Sequence, residues 1–457
     1  MTHKKNKDST RKSLEYSVKD GAAFSVMTGF GEQYLNPLAI ELGASNIQIS
    51  LLASIPPFIA SLCQLYTSRL MERIKSRRQM ILNFVMLQAL TWIPLALIPL
   101  LDLTGRVTWL IVFVSLYFVF GQFVGPVWNS LMGDLVEENK RGRFFGMRNK
   151  VSGAVAFASL FTAGFVLSRF PQDKLFYGFT VIFTVAFIAR IASWLYLKRM
   201  DDPHVIFDKK ASFSFPQYVR KLKETNYGKF ALYQGFMNFS VQLAGPFFAV
   251  YMLRDLHLSY LEYTAVTASA ALTSFLAMTY WGTIADRCGN KSILNVCGVL
   301  VVIVPLLWLY SGNVTYLILI QTVSGFAWAG FNLSSANFIF DNVSAVKRTR
   351  VFSYHNVLQG SLVFLGALSG GVLSRVFSSP WIFASSLQIL FLVSGLMRAL
   401  TSLFFLPRIQ EVRDVEPITP KTFFMKYSGT QPVLGMTFKT IIGFHKSLTN
   451  IRKRRRH

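Results

Sequence analysis

The chain of 457 residues is 52% hydrophobic, 15% aromatic and only 15% charged. Stretches of about 20 apolar residues recur along it, each long enough to cross a bilayer as a helix, which excludes a row of soluble domains. The net charge of +25 is not a nucleic-acid signal, because the basic residues gather in alternate loops, as the positive-inside rule requires.

In chain order, residues 1–17 are polar and basic, with no short apolar stretch ahead of a small-residue cleavage site. They are expected to form a cytoplasmic segment and not a signal peptide. Twelve spans follow, with boundaries uncertain by about four residues: Asp20–Leu42, Ile47–Arg69, Gln79–Leu101, Val107–Leu135, Phe144–Leu167 and Leu175–Leu197, then Tyr227–Leu253, Ser259–Ile284, Ser292–Tyr310, Val314–Phe340, Val351–Val376 and Trp381–Leu406. The expected fold is an all-α polytopic membrane protein, twelve transmembrane helices in two pseudo-symmetric six-helix lobes. The lobes are residues 18–200 and 226–407, joined by a cytoplasmic linker at 201–225 and followed by a basic tail at 408–457. Segments alternating in polarity, as a β-barrel needs, are not seen.

Roughly 40 of the 47 Lys and Arg residues fall in or beside the N-terminus, alternate loops, linker and tail, which places both termini in the cytoplasm. In the linker, Ser214 with Gln217 reads as a capping box and Pro216 as a first-turn proline, so a short amphipathic helix is expected on the inner membrane face. The run Arg452 to His457 either meets anionic lipid headgroups or is a solvated tail that enforces topology. Cys63, Cys288 and Cys297 offer neither metal spacing nor a disulfide framework, and no metal or cofactor is expected.

Two charged hinges repeat about 200 residues apart, the mark of a duplicated helical unit. In Gly133–Arg148, Lys140-Arg141-Gly142-Arg143 aligns with Lys347-Arg348-Thr349-Arg350 of Asn337–Asn356, and Asn149 aligns with Asn356. Asn36-Pro37 pairs with Gly245-Pro246 and Arg190 with Arg398. Trp128-Asn129 pairs with Phe331-Asn332 about one turn out of register.

The loop Gly282-Thr283-Ile284-Ala285-Asp286-Arg287-Cys288-Gly289-Asn290-Lys291 resembles the G-x-x-x-D-R-x-G-x-[KR] loop of the major facilitator superfamily. Its first-half counterpart, Ser68 to Arg78, is degenerate: Ser68 replaces the first glycine, Glu72 the aspartate and Lys75 the second glycine. The hinges and the run Ala329 to Leu333 resemble a bacterial branch of that superfamily. The resemblance implies alternating access, with the first and seventh helices lining a central cavity. It also implies a cytoplasmic gate, for which the matching residues are Glu72, Arg73, Asp134, Arg141, Arg143, Gly282, Asp286, Arg287, Asp341, Arg348 and Arg350. Gly282 is expected to let two helices approach closely, and Asp134 with Arg143 and Asp341 with Arg350 are candidate latches. These charges have a plainer alternative, which is to fix topology alone.

An ionisable group at mid-membrane costs about 2.5–3.5 kcal/mol on insertion scales, so each needs a reason. Glu32 stands near the centre of the first span, on one face with Ser25, Thr28 and Asn36. Gln234, Asn238 and Gln242 form a matching face in the seventh, and the resemblance places Glu32 roughly opposite Gln242. Glu32 either binds a proton, a cation or a substrate group, or is a structural acid bonded to a neighbouring helix. Trp128, Asn129, Trp328, Asn332 and Gln359 offer aromatic and amide surface for a sugar-like or amphipathic solute, or simply pack. Arg148, Lys150, His355, Arg190 and Arg398 lie near the inner ends of their spans and are expected to snorkel.

No phosphate-binding G-x-x-x-x-G-K-[ST] loop or catalytic constellation appears, so neither an ATP-driven pump nor an enzyme is expected. The G-x-x-x-G-P-x-x-G-G run typical of the superfamily's drug/proton antiporters is missing from the fifth span. The reading is a monomeric secondary transporter of a small-molecule solute, coupled to a proton or another cation, in the plasma or inner membrane. A lipid or amphiphile flippase, and a transporter-like sensor that moves nothing, are the alternatives.

Overall fold

A computed structural model describes residues 2–137, 141–202, 215–343, 345–376, 385–413 and 415, without the side chains of 2–9, 68, 141–143 and 345–350. In the first lobe, α1 (Thr2–Phe30), a 3-10 turn (Glu32–Tyr34) and α2 (Leu35–Glu41) make the first span. The second is α3 (Asn46–Gln64), and a short helix α4 (Thr67–Ile74) links it to α5 (Arg77–Leu97), α6 (Arg106–Leu135), α7 (Arg141–Ser168) and α8 (Leu175–Lys198). The linker helix α9 (Phe215–Lys221) precedes the second lobe. Its first span is α10 (Asn226–Gln242) with α11 (Phe247–Val250). The rest are α12 (Tyr260–Cys288), α13 (Asn290–Leu307), α14 (Val314–Asn342), α15 (Ala345–Val376) and α16 (Leu387–Phe405).

Twelve spans in two lobes are therefore present, all helical. Ten helices among the described residues are long and apolar enough to cross a membrane. The other two spans are the interrupted first and α12, which is diluted by Thr, Ser and Tyr. Helix starts follow sequence chemistry: Ser45 with Gln48 and Ser259 with Glu262 form capping boxes at α3 and α12. The cap expected at Ser214 lies outside the described residues, but Pro216 does sit in the first turn of α9.

The first and seventh spans are broken at matching places, each beside a proline. Pro37 lacks an N–H and so cannot carry the α1 ladder onward; it sits in the first turn of α2. Pro246 likewise stands immediately before α11. At the first break, a Cβ on Gly31 would lie 2.2 Å from the ring of the fully buried Trp92, so only glycine lets the chain pass there. The break holds Glu32 out of the regular helix.

Within each lobe the helices pack as α1 on α7 and α8, and as α12 and α13 on α14. Between lobes, α3 packs on α15 and α7 on α12. Phe58 stacks on Phe364 at 4.9 Å in the first of these contacts, and Tyr34 Oη meets Thr264 Oγ1 at 2.9 Å in the second. One end of the bundle, called the far end below, is tied between lobes. Arg254 Nη2 donates to Ala44 O at 2.8 Å, and Tyr260 Oη donates to Glu41 at 3.2 Å.

The opposite, charged end carries one clamp per lobe. Arg77 Nη1 meets Asp134 at 2.6 Å while its Nε meets Asp202 at 3.2 Å. In the second lobe, Arg413 meets Asp341 at 2.8 Å and Asp286 at 3.5 Å. The carboxylate following each lobe's last helix caps the third: Asp202 accepts from Arg78 N at 3.0 Å, and Glu411 from Lys291 N at 2.8 Å. The two-fold repeat is thus conserved in geometry while the identities of the charges are exchanged.

Candidate functional site

The first lobe holds a partly open cavity of about 410 Å³ whose wall includes Asp20, Glu32, Gln88, Tyr117, Arg148 and Arg190. Each comes from a different helix or turn. The breach at Gly31 aims Glu32 inward, where Tyr117 Oη donates to its carboxylate. Gln88 Nε2 donates to the Tyr117 carbonyl at 3.3 Å, and its Oε1 accepts from Arg190 Nε at 2.8 Å. Arg190 Nη1 donates to Ser193 Oγ at 2.8 Å, and Ser193 donates on to Asp20 at 2.7 Å. Arg148 Nη2 closes the chain on the other Asp20 oxygen at 3.5 Å.

Gln88, Arg190, Ser193, Asp20 and Arg148 are therefore linked side chain to side chain, and the pair of Glu32 with the Tyr117 phenol adjoins them across the Tyr117 backbone carbonyl; the two acids and two guanidiniums balance in formal charge. Burying such groups is tolerable only because each has partners. Aromatic faces add to this: Arg148 lies 4.3 Å from the Trp128 ring centroid and Arg190 4.9 Å from that of Phe24. The indole Nε1 of Trp128 is buried without a hydrogen-bond partner among the described residues. The cavity thus offers a donor as well as an acid.

Beside the cavity, Gln64 Oε1 accepts from Gln122 Nε2 at 3.1 Å and from Asn356 Nδ2 at 2.9 Å. Gln122 lines the cavity and Asn356 belongs to the other lobe, so this amide bridge joins the site to the lobe interface.

The structure brings Glu32, Trp128 and Asn129 together in this wall. Thr28 and Asn36 are not part of it, and Thr28 satisfies its hydroxyl on the Ser25 carbonyl at 3.0 Å. The wall contains no second-lobe residue, so Gln242 is not across this cavity from Glu32. Asn238 donates to Gln359 at 3.0 Å, and Gln234 faces His355 at 3.1 Å, so those amides tie α10 to α15. Trp328 packs edge-on against Phe331, and Asn332 is exposed.

Several expectations are corrected. Arg190 and Arg398 are 3% and 2% exposed and do not snorkel, because each finds acceptors inside its lobe, Arg398 on Val301 O at 2.9 Å. Arg148 pairs with Asp20, and His355 is buried against Tyr227 and Gln234. Gly282 makes no close helix approach: a Cβ there would meet Leu333 at an ordinary 3.8 Å. The close approach is at Gly325, where a Cβ would lie 2.2 Å from the Ala270 carbonyl. Asp134 and Asp341 find Arg77 and Arg413 as partners; the side chains of Arg141, Arg143, Arg348 and Arg350 lie outside the described residues. Glu72, Arg73 and Arg287 are exposed, and Asp286 is 80% exposed. Asp20, Gln88 and Tyr117 were missed. The acid at the head of the first span was the one legible signal among them, since neutral Gln and Tyr in an apolar helix give none.

Twelve helices in two lobes, with ionisable groups gathered along one cavity, are the architecture of a multi-pass membrane transporter. The chain belongs to the Major Facilitator Superfamily, whose family model matches residues 22–227 and 230–453. An MFS-type transporter of Aspergillus terreus (strain NIH 2624 / FGSC A1156) is 27% identical over 203 residues, 42% of this chain and 36% of that protein. An uncharacterized transporter of Buchnera aphidicola subsp. Schizaphis graminum (strain Sg) is 22% identical over 222 residues, 47% of this chain and 52% of that protein. The matches thus span only about a third to a half of these relatives. Among solved structures, a variant of the nucleoside transporter NupG superposes with a TM-score of 0.67 at 12% identity, over 87% of this chain and all of that one. A bacterial homologue of the iron transporter ferroportin, in its inward-facing state, gives 0.62 at 14% identity over 87% and 98%. At these identities the likeness shows the fold.

Proposed function

We propose that the protein is a secondary transporter that moves a small polar solute by alternating access, coupled to protons through Glu32. The supporting observation is that Glu32, held by the Tyr117 phenol, shares one wall with a chain of polar side chains that runs from Gln88 through Arg190 and Ser193 to Asp20 and Arg148. A proton on Glu32 changes the charge of the whole chain. In a medium of low dielectric that change is felt by every member. The Trp128 N–H and its ring suit a solute with a hydrogen-bond acceptor and a flat or apolar face.

The bias of Lys and Arg puts the charged end in the cytoplasm of a plasma or inner membrane. The far end is tied between lobes by Arg254 on Ala44 and Tyr260 on Glu41, a tie that has to open in the alternate state. The two charged clamps each lie within one lobe and keep it rigid while the lobes rock. The Gln122–Gln64–Asn356 bridge carries the state of the cavity to the interface.

The test uses proteoliposomes with an internal pH dye and a library of polar metabolites. A transported solute added to wild type moves protons with it. Glu32→Gln is expected to exchange solute down its own gradient but to lose proton movement. Wild-type pH dependence in Glu32→Gln would falsify the coupling role.

A further inference from the structure

We propose that an anionic phospholipid docks between α5 and α8 at the charged end, with its phosphodiester on Arg78 and Lys198 and its chains running down the outer face of the two helices. A groove of about 420 Å³ lies there, lined by Ser76, Arg78, Gln79, Leu82, Asn83, Met86 and Trp194. It is separate from the ionisable cavity: the two walls share no residue.

The cationic heads are fixed in place. Arg78 Nη2 donates to Lys198 O, the last carbonyl of α8, at 2.6 Å. A guanidinium has five N–H donors, so the fork keeps donors for phosphate oxygens. Lys198 Nζ sits 5.1 Å from the Trp194 ring centroid, and that indole anchors itself on Leu82 O at 3.1 Å. Asp202, beside the groove, is engaged by Arg77 Nε at 3.2 Å and by the Arg78 amide at 3.0 Å, so its charge is already matched.

The other half of the ligand is written on the helix faces. Below the polar rim, Met86 continues into Leu90, Ile93 and Leu97 on one side of α5, 42–44% exposed in the last three. Ile188 and Leu195 stand 59% and 47% exposed on α8. A polar, cationic head position capping an apolar column is the shape of a phospholipid. A free phosphate would use only the upper part. Trp194 lies at the depth where indoles mark the bilayer interface.

The test uses the full-length protein in phosphatidylcholine vesicles containing either phosphatidylglycerol or phosphatidylcholine with brominated chains. Bromine quenches nearby tryptophan, and subtracting the signal of Trp194→Phe isolates that residue. Brominated phosphatidylglycerol is expected to quench Trp194 in preference to brominated phosphatidylcholine. Lys198→Gln, which touches only the Trp194 ring, should cut that preference about fivefold, while Arg78→Lys should keep most of it. Equal quenching by the two lipids, or an undiminished preference in Lys198→Gln, overturns the proposal. Relief of quenching by millimolar inorganic phosphate overturns it too, by assigning the groove to a free anion.

Discussion

Glu32 owes its position to its neighbour. A glycine at 31 lets the backbone press on Trp92, and the helix then breaks so that the acid turns into the cavity. Gly31→Ala is therefore expected to cost about 1–3 kcal/mol through overpacking and to weaken proton coupling while leaving Glu32 in the chain. Thermal unfolding followed by tryptophan fluorescence checks the first effect and the proteoliposome assay the second. Arg190 shows a similar dependence on neighbours. Its sequence position near a helix end fits a side chain that reaches for water, yet Gln88 and Ser193 hold it inside.

Among the elements, one tight seam of the second lobe lies between α12 and α14. Gly325→Ala would push a methyl into the Ala270 carbonyl, whereas Gly282→Ala meets only Leu333 Cδ2 at 3.8 Å. The first variant should lose about 1–3 kcal/mol and the second change little; melting temperatures of the two in the same detergent decide this. The glycine of the conspicuous loop motif is thus not the one the packing depends on. The linker helix α9 has its own signature. Burial pushes the Tyr218 phenol up to about 12, with its hydrogen bond to Tyr227 partly opposing that rise. Docking of α9 favours the protonated phenol. Its contribution is complete below the unfolded value near 10 and is lost as pH rises through about 12. Phenolate absorbance should lose one late-titrating tyrosine in Tyr218→Phe.

At the scale of the whole molecule, the far end is held by few interactions between lobes. Arg254→Ala removes two bonds from a charged donor, to Ala44 O at 2.8 Å and to Asn46 Oδ1 at 3.4 Å, the shorter alone worth about 1.5–3 kcal/mol, and is expected to shift the equilibrium about tenfold or more towards a state open at that end. Spin labels on α2 and α12 read this as a longer distance between the lobes; an unchanged distance distribution counts against Arg254 as a far-end tie.

Hydropathy, the Lys and Arg bias and the repeated hinges are local or periodic properties, so the twelve spans, the two lobes and the exceptional standing of Glu32 were determined by the sequence alone. Pro37 and Pro246 pair in the sequence as parts of a repeat, and the structure adds that the first and seventh spans break beside them. Tertiary structure decided which side chains meet. Gln88, Tyr117 and Arg190 lie far from Glu32 along the chain, and only helix packing brings them to one wall. The same holds for Arg77 and Arg413, which reach Asp134 and Asp341 from outside the hinges. A helical sequence states which residues share a face. Which neighbour that face meets is set by the crossing of helices that are distant in sequence.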